Sequence, residues 1–270
     1  MTIADDARVL VLGNGPSLKQ ADFAAFKGVD TIGMNAAYRY WDRIGWSPTH
    51  YACLDSQVVL SHADAIAGMI REGRFRHAFL HWHLLKRYPD LSGHPAVTFL
   101  CQLSHGPDDV KRCAALGLRY TPSRFFASRD IDRVTTGSAS IRFAGDRGYR
   151  RIGLIGIDCR YREILPEARS QGGLILEIER DVKENPNYFF DDYQRTGDRY
   201  HIPNPQAFGG DLHIRCLETL ARDNVELGFG LDIRVLTTES ELYTRKVFAL
   251  DSLPGFLGQS PESSPHPIGG

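Results

Sequence analysis

Val9-Leu10-Val11-Leu12-Gly13-Asn14-Gly15-Pro16-Ser17-Leu18 is the stretch that decides the fold. Four consecutive apolar, β-favouring residues read as a strand buried on both faces. They run straight into a tight turn and a helix start. Such a junction leaves backbone N–H groups pointing into open space above a sheet, where an anionic group can sit. The glycines permit positive φ and close backbone approach to a ligand, and Pro16 presets φ for a helix start. Ser17-Leu18-Lys19-Gln20 matches a capping box, with Ser17 as N-cap and Gln20 reaching back. The third glycine of G-x-G-x-x-G is absent, and no Gly-Lys-Ser/Thr follows, so neither dinucleotide nor P-loop signatures apply. The turn therefore reads either as a phosphate or nucleotide site or as a tight structural turn.

Further buried strands are expected at Asp30–Met34, His50–Leu54, His77–Leu80, Val97–Cys101, Ile152–Ile157 and Ile233–Leu236, after a first one at Arg8–Leu12. Helical patterns lie between them. Gln57–Glu72 carries an apolar face of Val59, Ala63, Ile66, Ala67 and Ile70. Gly137–Asp146 opens on a glycine, and Asp211–Arg222 sets Leu212, Cys216, Leu217 and Leu220 on one side. Alternating strands and helices predict an α/β fold with a mostly parallel sheet. Ala168–Asn204 breaks the pattern, with Tyr188, Phe189, Phe190, Tyr193 and Tyr200 among many charges. It reads as an ordered aromatic lid without regular elements. The tail 259–270, rich in Ser, Pro, Gly and His, reads as disordered.

Composition narrows the function. With a formal net charge of -1, the chain lacks the basic excess of a nucleic-acid binder. No apolar run approaches the roughly 20 residues that span a membrane, and Met1–Arg8 does not resemble a signal peptide. Cys53, Cys101, Cys113, Cys159 and Cys216 form no C-x-x-C pair and fit buried thiols in a reducing cytoplasm.

Polar residues gather where strands end. Asn35 closes the second strand, and Asp55 and Ser56 close the third, so they would converge on one crevice. Turn and helix-cap chemistry is the alternative for each. Arg133-Val134-Thr135-Thr136-Gly137-Ser138 introduces a helix with hydroxyls, N–H groups and a fixed positive charge suited to a carboxylate or phosphate. Ile155-Gly156-Ile157-Asp158-Cys159-Arg160-Tyr161 offers Asp158 to a ribose or substrate and the Tyr161 hydroxyl to a phosphate. Tyr200-His201-Ile202-Pro203 closes the lid with a histidine able to take a proton from a hydroxyl. An exposed loop histidine is the bland reading of His201, and His213 is the second candidate base. His81 and His83 alternate along a strand, but nothing nearby completes a metal site.

Taken in order, these motifs resemble the bacterial sialyltransferases of glycosyltransferase family 42. Gly13-Asn14-Gly15-Pro16-Ser17-Leu18-Lys19 looks like that family's opening. Asn35 falls where the family has an asparagine after its second strand. Arg133-x-x-Thr136-Gly137 is similar to its Arg-x-Thr/Ser-Ser-Gly segment, and Gly148-Tyr149-Arg150-Arg151-Ile152 through Gly156-Ile157-Asp158 to a later strand. Two positions depart from the pattern. Counting back from Asp211 to the family's histidine lands on Gln206, so His201 needs a loop insertion to serve. Asp55-Ser56 stands where the family shows Asn-Pro-Ser. Asn187-Tyr188-Phe189 through His201-Ile202-Pro203-Asn204 looks more like the related domain of unknown function 115 group, which includes pterin pyrophosphokinases.

The resemblance implies a single Rossmann-like domain over residues 1–258, with a lid about 168–204. It implies transfer of an acidic sugar, sialic acid or similar, from a CMP-activated donor to a glycan hydroxyl, with inversion and without a metal. Gly13, Asn14, Gly15, Pro16, Ser17, Asn35, Asp55, Ser56, Thr136, Gly137, Ser138, Gly156 and Asp158 would bind donor. His201 would be the base, Tyr161 would steady the leaving phosphate and Arg133 would face a carboxylate. The CMP-sugar would be co-substrate, with no resident cofactor and no nucleic acid. A glycan or glycolipid acceptor in surface-glycan biosynthesis places the protein in the cytoplasm, with the inner face of the membrane and a homo-oligomer left open. The rival readings are an ATP- and Mg²⁺-dependent phosphotransferase and a non-catalytic nucleotide-sugar-binding protein.

Overall fold

Runs of apolar residues too short for helices and flanked by turn residues become the strands of a parallel sheet. The computed structural model describes residues 7–100, 114–116, 118, 123–126, 134–161, 164–203, 205 and 209–258. Along the chain come β1 (Arg8–Leu12), β2 (Asp30–Met34), α1 (Tyr38–Ile44), β3 (His50–Cys53), α2 (Ser56–Ser61), α3 (Ala63–Arg71), β4 (His77–His81) and β5 (Val97–Leu100). Next are α4 (Thr136–Asp146), β6 (Arg151–Ile155), β7 (Ala168–Ser170), β8 (Ile175–Ile178) and β9 (Arg199–His201). The described chain closes with α5 (Leu212–Glu226), β10 (Asp232–Val235), α6 (Glu241–Thr244), β11 (Ala249–Leu250) and α7 (Leu253–Leu257).

Eight strands form one sheet in the order β11-β10-β6-β1-β2-β3-β4-β5, with every pairing parallel. Side chains alternate along a strand, so β1 feeds both faces. Leu10 and Leu12 enter one apolar cluster with Trp41, Ile66 and Ile70. Val9 and Val11 enter the opposite one with Ile141, Phe143, Leu217 and Leu220. Helices thus cover both faces, which is why β1 can be apolar at every position. The chain moves outward from β1 through β5, then returns to place β6 on the other side of β1. The strand order therefore reverses at β1, and a crevice opens above the carboxyl ends of the strands there.

Three expectations are corrected. The helix expected over Gln57–Glu72 is two, because His62 breaks it at φ −107°, ψ 18°. β6 stops at Ile155, since Gly156 turns to φ +73°. The lid is not devoid of regular elements: β7, β8 and β9 form an antiparallel sheet around Leu165, Leu176, Ile178 and Tyr200. Gly172 and Gly173, at φ +95° and +59°, turn β7 into β8. Arg133, Gln206, Cys101, Cys113 and the tail 259–270 lie outside the described residues. Among the described residues no helix is long and apolar enough to cross a membrane.

Burial pushes the pKa values of His50, His62 and His77 down to about 4. An unfolded histidine titrates near 6.5, so between the two values the unfolded chain binds more protons. This contribution to stability is complete above about pH 6.5 and is lost as pH falls towards 4. The urea midpoint should therefore fall steadily from about pH 7 to about pH 4.5. A midpoint that stays level across that range would show that these rings are not held neutral.

Candidate functional site

The turn after β1 is shaped by its contacts with the end of β6 and the residues that follow it. Gly13 N donates to the Ile155 carbonyl and Gly15 N to the Gly156 carbonyl, both at 2.8 Å. Ser17 N donates to Asp158 Oδ2 at 2.9 Å, and the Ser17 hydroxyl bonds the other carboxylate oxygen. The expectation that these amides stand open for an anion is thus corrected: β1 and β6 are neighbours, and the turn continues their ladder. Ser17 is not an N-cap either. Pro16–Leu18 is a single 3₁₀ turn whose N-cap is Gly15, with no side-chain cap. Gly15 sits at φ −72°, so its role is not positive φ. It is close packing: a Cβ on Gly13 would lie 2.0 Å from the Gly156 oxygen, and one on Gly15 2.4 Å from Asp158 Oδ2. Asp158, expected to hold ribose or substrate, clamps this turn instead.

Above the turn lies a cleft of about 400 Å³ that reaches the carboxyl ends of β1, β2, β3, β4 and β6. Gly13, Asn14, Gly15, Asn35, Asp55, Ser56, Thr136, Gly137, Gly156, Asp158, Tyr161 and His201 all border it, as does His213. Pro16, Ser17 and Ser138 do not. Ser138 is fully buried and is consumed by a capping box in which its N–H donates to Thr135 Oγ1 and its Oγ accepts from Thr135 N. The N-terminus of α4 nonetheless faces the cleft through Thr136 and Gly137, with the positive end of an 11-residue helix behind them.

Two asparagines carry the unspent hydrogen-bonding capacity. Asn14 Nδ2 donates to the Tyr193 hydroxyl at 2.9 Å and to the Met34 carbonyl at 3.4 Å. Its Oδ1, and Oδ1 of Asn35, are buried acceptors with no hydrogen-bond partner among the described residues. Asn35 also holds φ at +53°, a left-handed conformation that costs free energy for a residue with a Cβ. Unpaired buried carbonyls cost about 1–3 kcal/mol each, which a donor on a ligand would recover. Strain and orphaned acceptors at one crevice make it the candidate binding site.

The lid closes the other wall. Tyr188 stacks on Tyr193 with ring centroids 3.8 Å apart. Arg39 pins the lid from α1, donating to the Tyr193 carbonyl at 2.8 Å and pairing with Asp198 at 2.9 Å. Tyr188 and Tyr193, expected only as part of the lid, also line the cleft. The run Asn187–Tyr193, aromatic yet broken by polar residues, was the available signal.

His201, on β9, meets Asp55 from the loop after β3. Nδ1 lies 2.8 Å from Asp55 Oδ1, and the backbone N–H of His201 donates to Oδ2 at 3.2 Å. The hydrogen bond to Asp55 raises the His201 pKa above its ordinary value, against the opposing effect of burial. Burial favours the protonated form of Asp55, but the hydrogen bonds and charge of His201 win and lower its pKa. Asp55, expected to touch donor, is also the N-cap of α2, accepting from Gln57 N and Val58 N. His213 differs: burial pushes its pKa down to about 4, and its ring packs 5.1 Å from that of Tyr161. Burial likewise raises the Tyr161 pKa, keeping the phenol a neutral donor. Among the described residues no group of three or more His, Cys, Asp or Glu side chains is arranged to hold a metal ion.

No protein-family model matches the chain, and no curated protein matches it. Its fold is similar to solved structures. The monofunctional α-2,3-sialyltransferase Cst-I of Campylobacter jejuni is 16% identical, with 93% of this chain and 82% of that one aligned at a TM-score of 0.53. An α-2,3-sialyltransferase of Campylobacter jejuni in apo form is 15% identical, over 96% of this chain and 85% of that one, at 0.50. The likeness establishes the α/β fold, with its parallel sheet flanked by helices.

Proposed function

We propose that the chain is a glycosyltransferase that moves an acidic sugar, sialic acid or a close relative, from a CMP-activated donor to a glycan hydroxyl. The observation that carries this reading is the cleft itself. A carboxylate-bound histidine, two unpaired asparagine carbonyls and a helix N-terminus meet there, above the point where the strand order reverses. The similarity of the fold to structures named sialyltransferases supports the choice of reaction.

In this reading Asn14 Oδ1 and Asn35 Oδ1 accept hydrogens from the donor's nucleoside. The N–H groups at Thr136 and Gly137 and the Tyr161 hydroxyl meet the phosphate. His201 Nε2 takes the proton of the acceptor hydroxyl as its oxygen attacks the anomeric carbon. The bond from that carbon to the phosphate oxygen breaks, CMP leaves with the electron pair, and the centre inverts. Donors that meet charge as it develops on the leaving phosphate lower the barrier, and no metal is required for this. The acceptor is a glycan or glycolipid of surface-polysaccharide synthesis, reached from the cytoplasm at the inner membrane face.

The test is release of CMP from CMP-sialic acid, with an oligosaccharide acceptor, in excess chelator. Sugar transfer under those conditions is the expected result. Consumption of Mg²⁺-ATP with no attack on the CMP-sugar would replace the reading with a phosphotransferase.

A further inference from the structure

Asp55 and His201 belong to different parts of the molecule. Asp55 sits on the core at the N-terminus of α2, while His201 ends the lid strand β9. The carboxylate engages His201 twice, at the ring Nδ1 and at the backbone N–H. A second tie runs beside it, from Arg199 N to Ser61 Oγ at 3.1 Å. We propose that Asp55 is the positioning residue for His201, fixing the tautomer with hydrogen on Nδ1 and leaving Nε2 for the acceptor hydroxyl, and that the pair is assembled only when β9 docks on α2. This rests on the reading of His201 as the base. It departs from the resemblance, since aspartate stands where the resemblance leads one to expect asparagine.

The physical argument is the one that governs any histidine base. The imidazole must present a lone pair to the substrate, so its other nitrogen must carry the hydrogen and be held by an acceptor. A carboxylate does this and also favours the imidazolium formed as the proton moves. Asp55 is itself fixed by the α2 amides of Gln57 and Val58. The other titratable groups that face it are Cys53 at the end of β3, His62, between α2 and α3, His213 on α5, and Tyr161 and Tyr188. None of these is placed to replace it at Nδ1 of His201.

Asp55→Asn separates this role from capping, because asparagine caps a helix about as well as aspartate. The expected result is a thermal midpoint close to that of the parent and a kcat lower by about 10²-fold or more, with the donor KM little changed. The acidic limb of the pH–rate profile should move to lower pH, and so should the titration of the His201 ring followed by NMR. A raised donor KM with kcat intact would overturn the proposal in favour of donor binding. An unmoved His201 titration would reduce Asp55 to a helix cap. The ring-nitrogen shifts of His201 in the parent protein give a second test that needs no variant: hydrogen on Nε2 in the neutral ring would contradict the proposal. If His201→Gln keeps full activity while Asp55→Asn still shifts the ring's titration, the pairing stands and the assignment of the base fails.

Discussion

Replacing Gly13 by alanine is expected to cost about 3 kcal/mol of folding stability or more, and to lower the thermal midpoint by roughly 5–10 °C. The added Cβ would stand 2.0 Å from the Gly156 carbonyl oxygen and 2.7 Å from Ile157 N. Both are backbone atoms, so no side chain can swing away to make room. Relief would require β1 and β6 to part where Gly13 N and Gly15 N hold them together. Gly156 has little freedom to yield, since it occupies φ +73° with its own Cβ position 3.0 Å from Gly13. Gly68→Ala is the paired control. Gly68 lies within α3 with open space around its Cβ position. That change should stabilise by about 0.5–1 kcal/mol. Denaturant melts of the two variants should therefore move in opposite directions. A Gly13→Ala protein as stable as its parent would show that the first turn is not packed against β6 as described.

Replacing His201 by glutamine is expected to lower the rate of sugar transfer by about 10²- to 10⁴-fold while leaving donor affinity close to that of the parent. The side chain would keep its place near Asp55 but could no longer take a proton. In the parent protein the base works when neutral, so activity should rise with pH. The midpoint of that rise should lie above the ordinary histidine value near 6.5, because the hydrogen bond to Asp55 outweighs burial. Steady-state kinetics across pH on both proteins checks the effect and its sign. An unchanged rate would move the role to His213, whose ring already stays neutral through the physiological range.

Much of the architecture was readable because local sequence and burial agree. Arg8–Leu12 and Asp30–Met34 are buried after their first residue, and they end at Gly13 and Asn35. The lid sheet was hidden because β7 and β9 are three-residue strands with charged outer faces, too short for a period of two to register. The break at His62 was hidden because the apolar face of Gln57–Glu72 continues across it. What stops the helix is tertiary: the ring bonds the Tyr38 hydroxyl and approaches Asp198.

The site shows the same division. Asn14, Asn35, Thr136 and His201 could be singled out from strand ends and turn chemistry. Their partners could not, because contacts across the fold leave no local trace. Asp158 was readable as a polar residue at a strand end, but its attachment to Ser17 spans 141 positions. Asp55 looked like a donor contact or a cap, and the 146 positions separating it from His201 hid their pairing. The missing third glycine of the opening turn also has its explanation: Gly13 and Gly15 serve contact with β6 rather than approach to a pyrophosphate.

Calorimetric titration with CMP tests the central claim most directly. The account predicts saturable binding of one CMP per chain well below millimolar concentration, in the presence of chelator, weakened by Asn14→Ala and Asn35→Ala. No binding of CMP or of a CMP-sugar at millimolar concentration would contradict it.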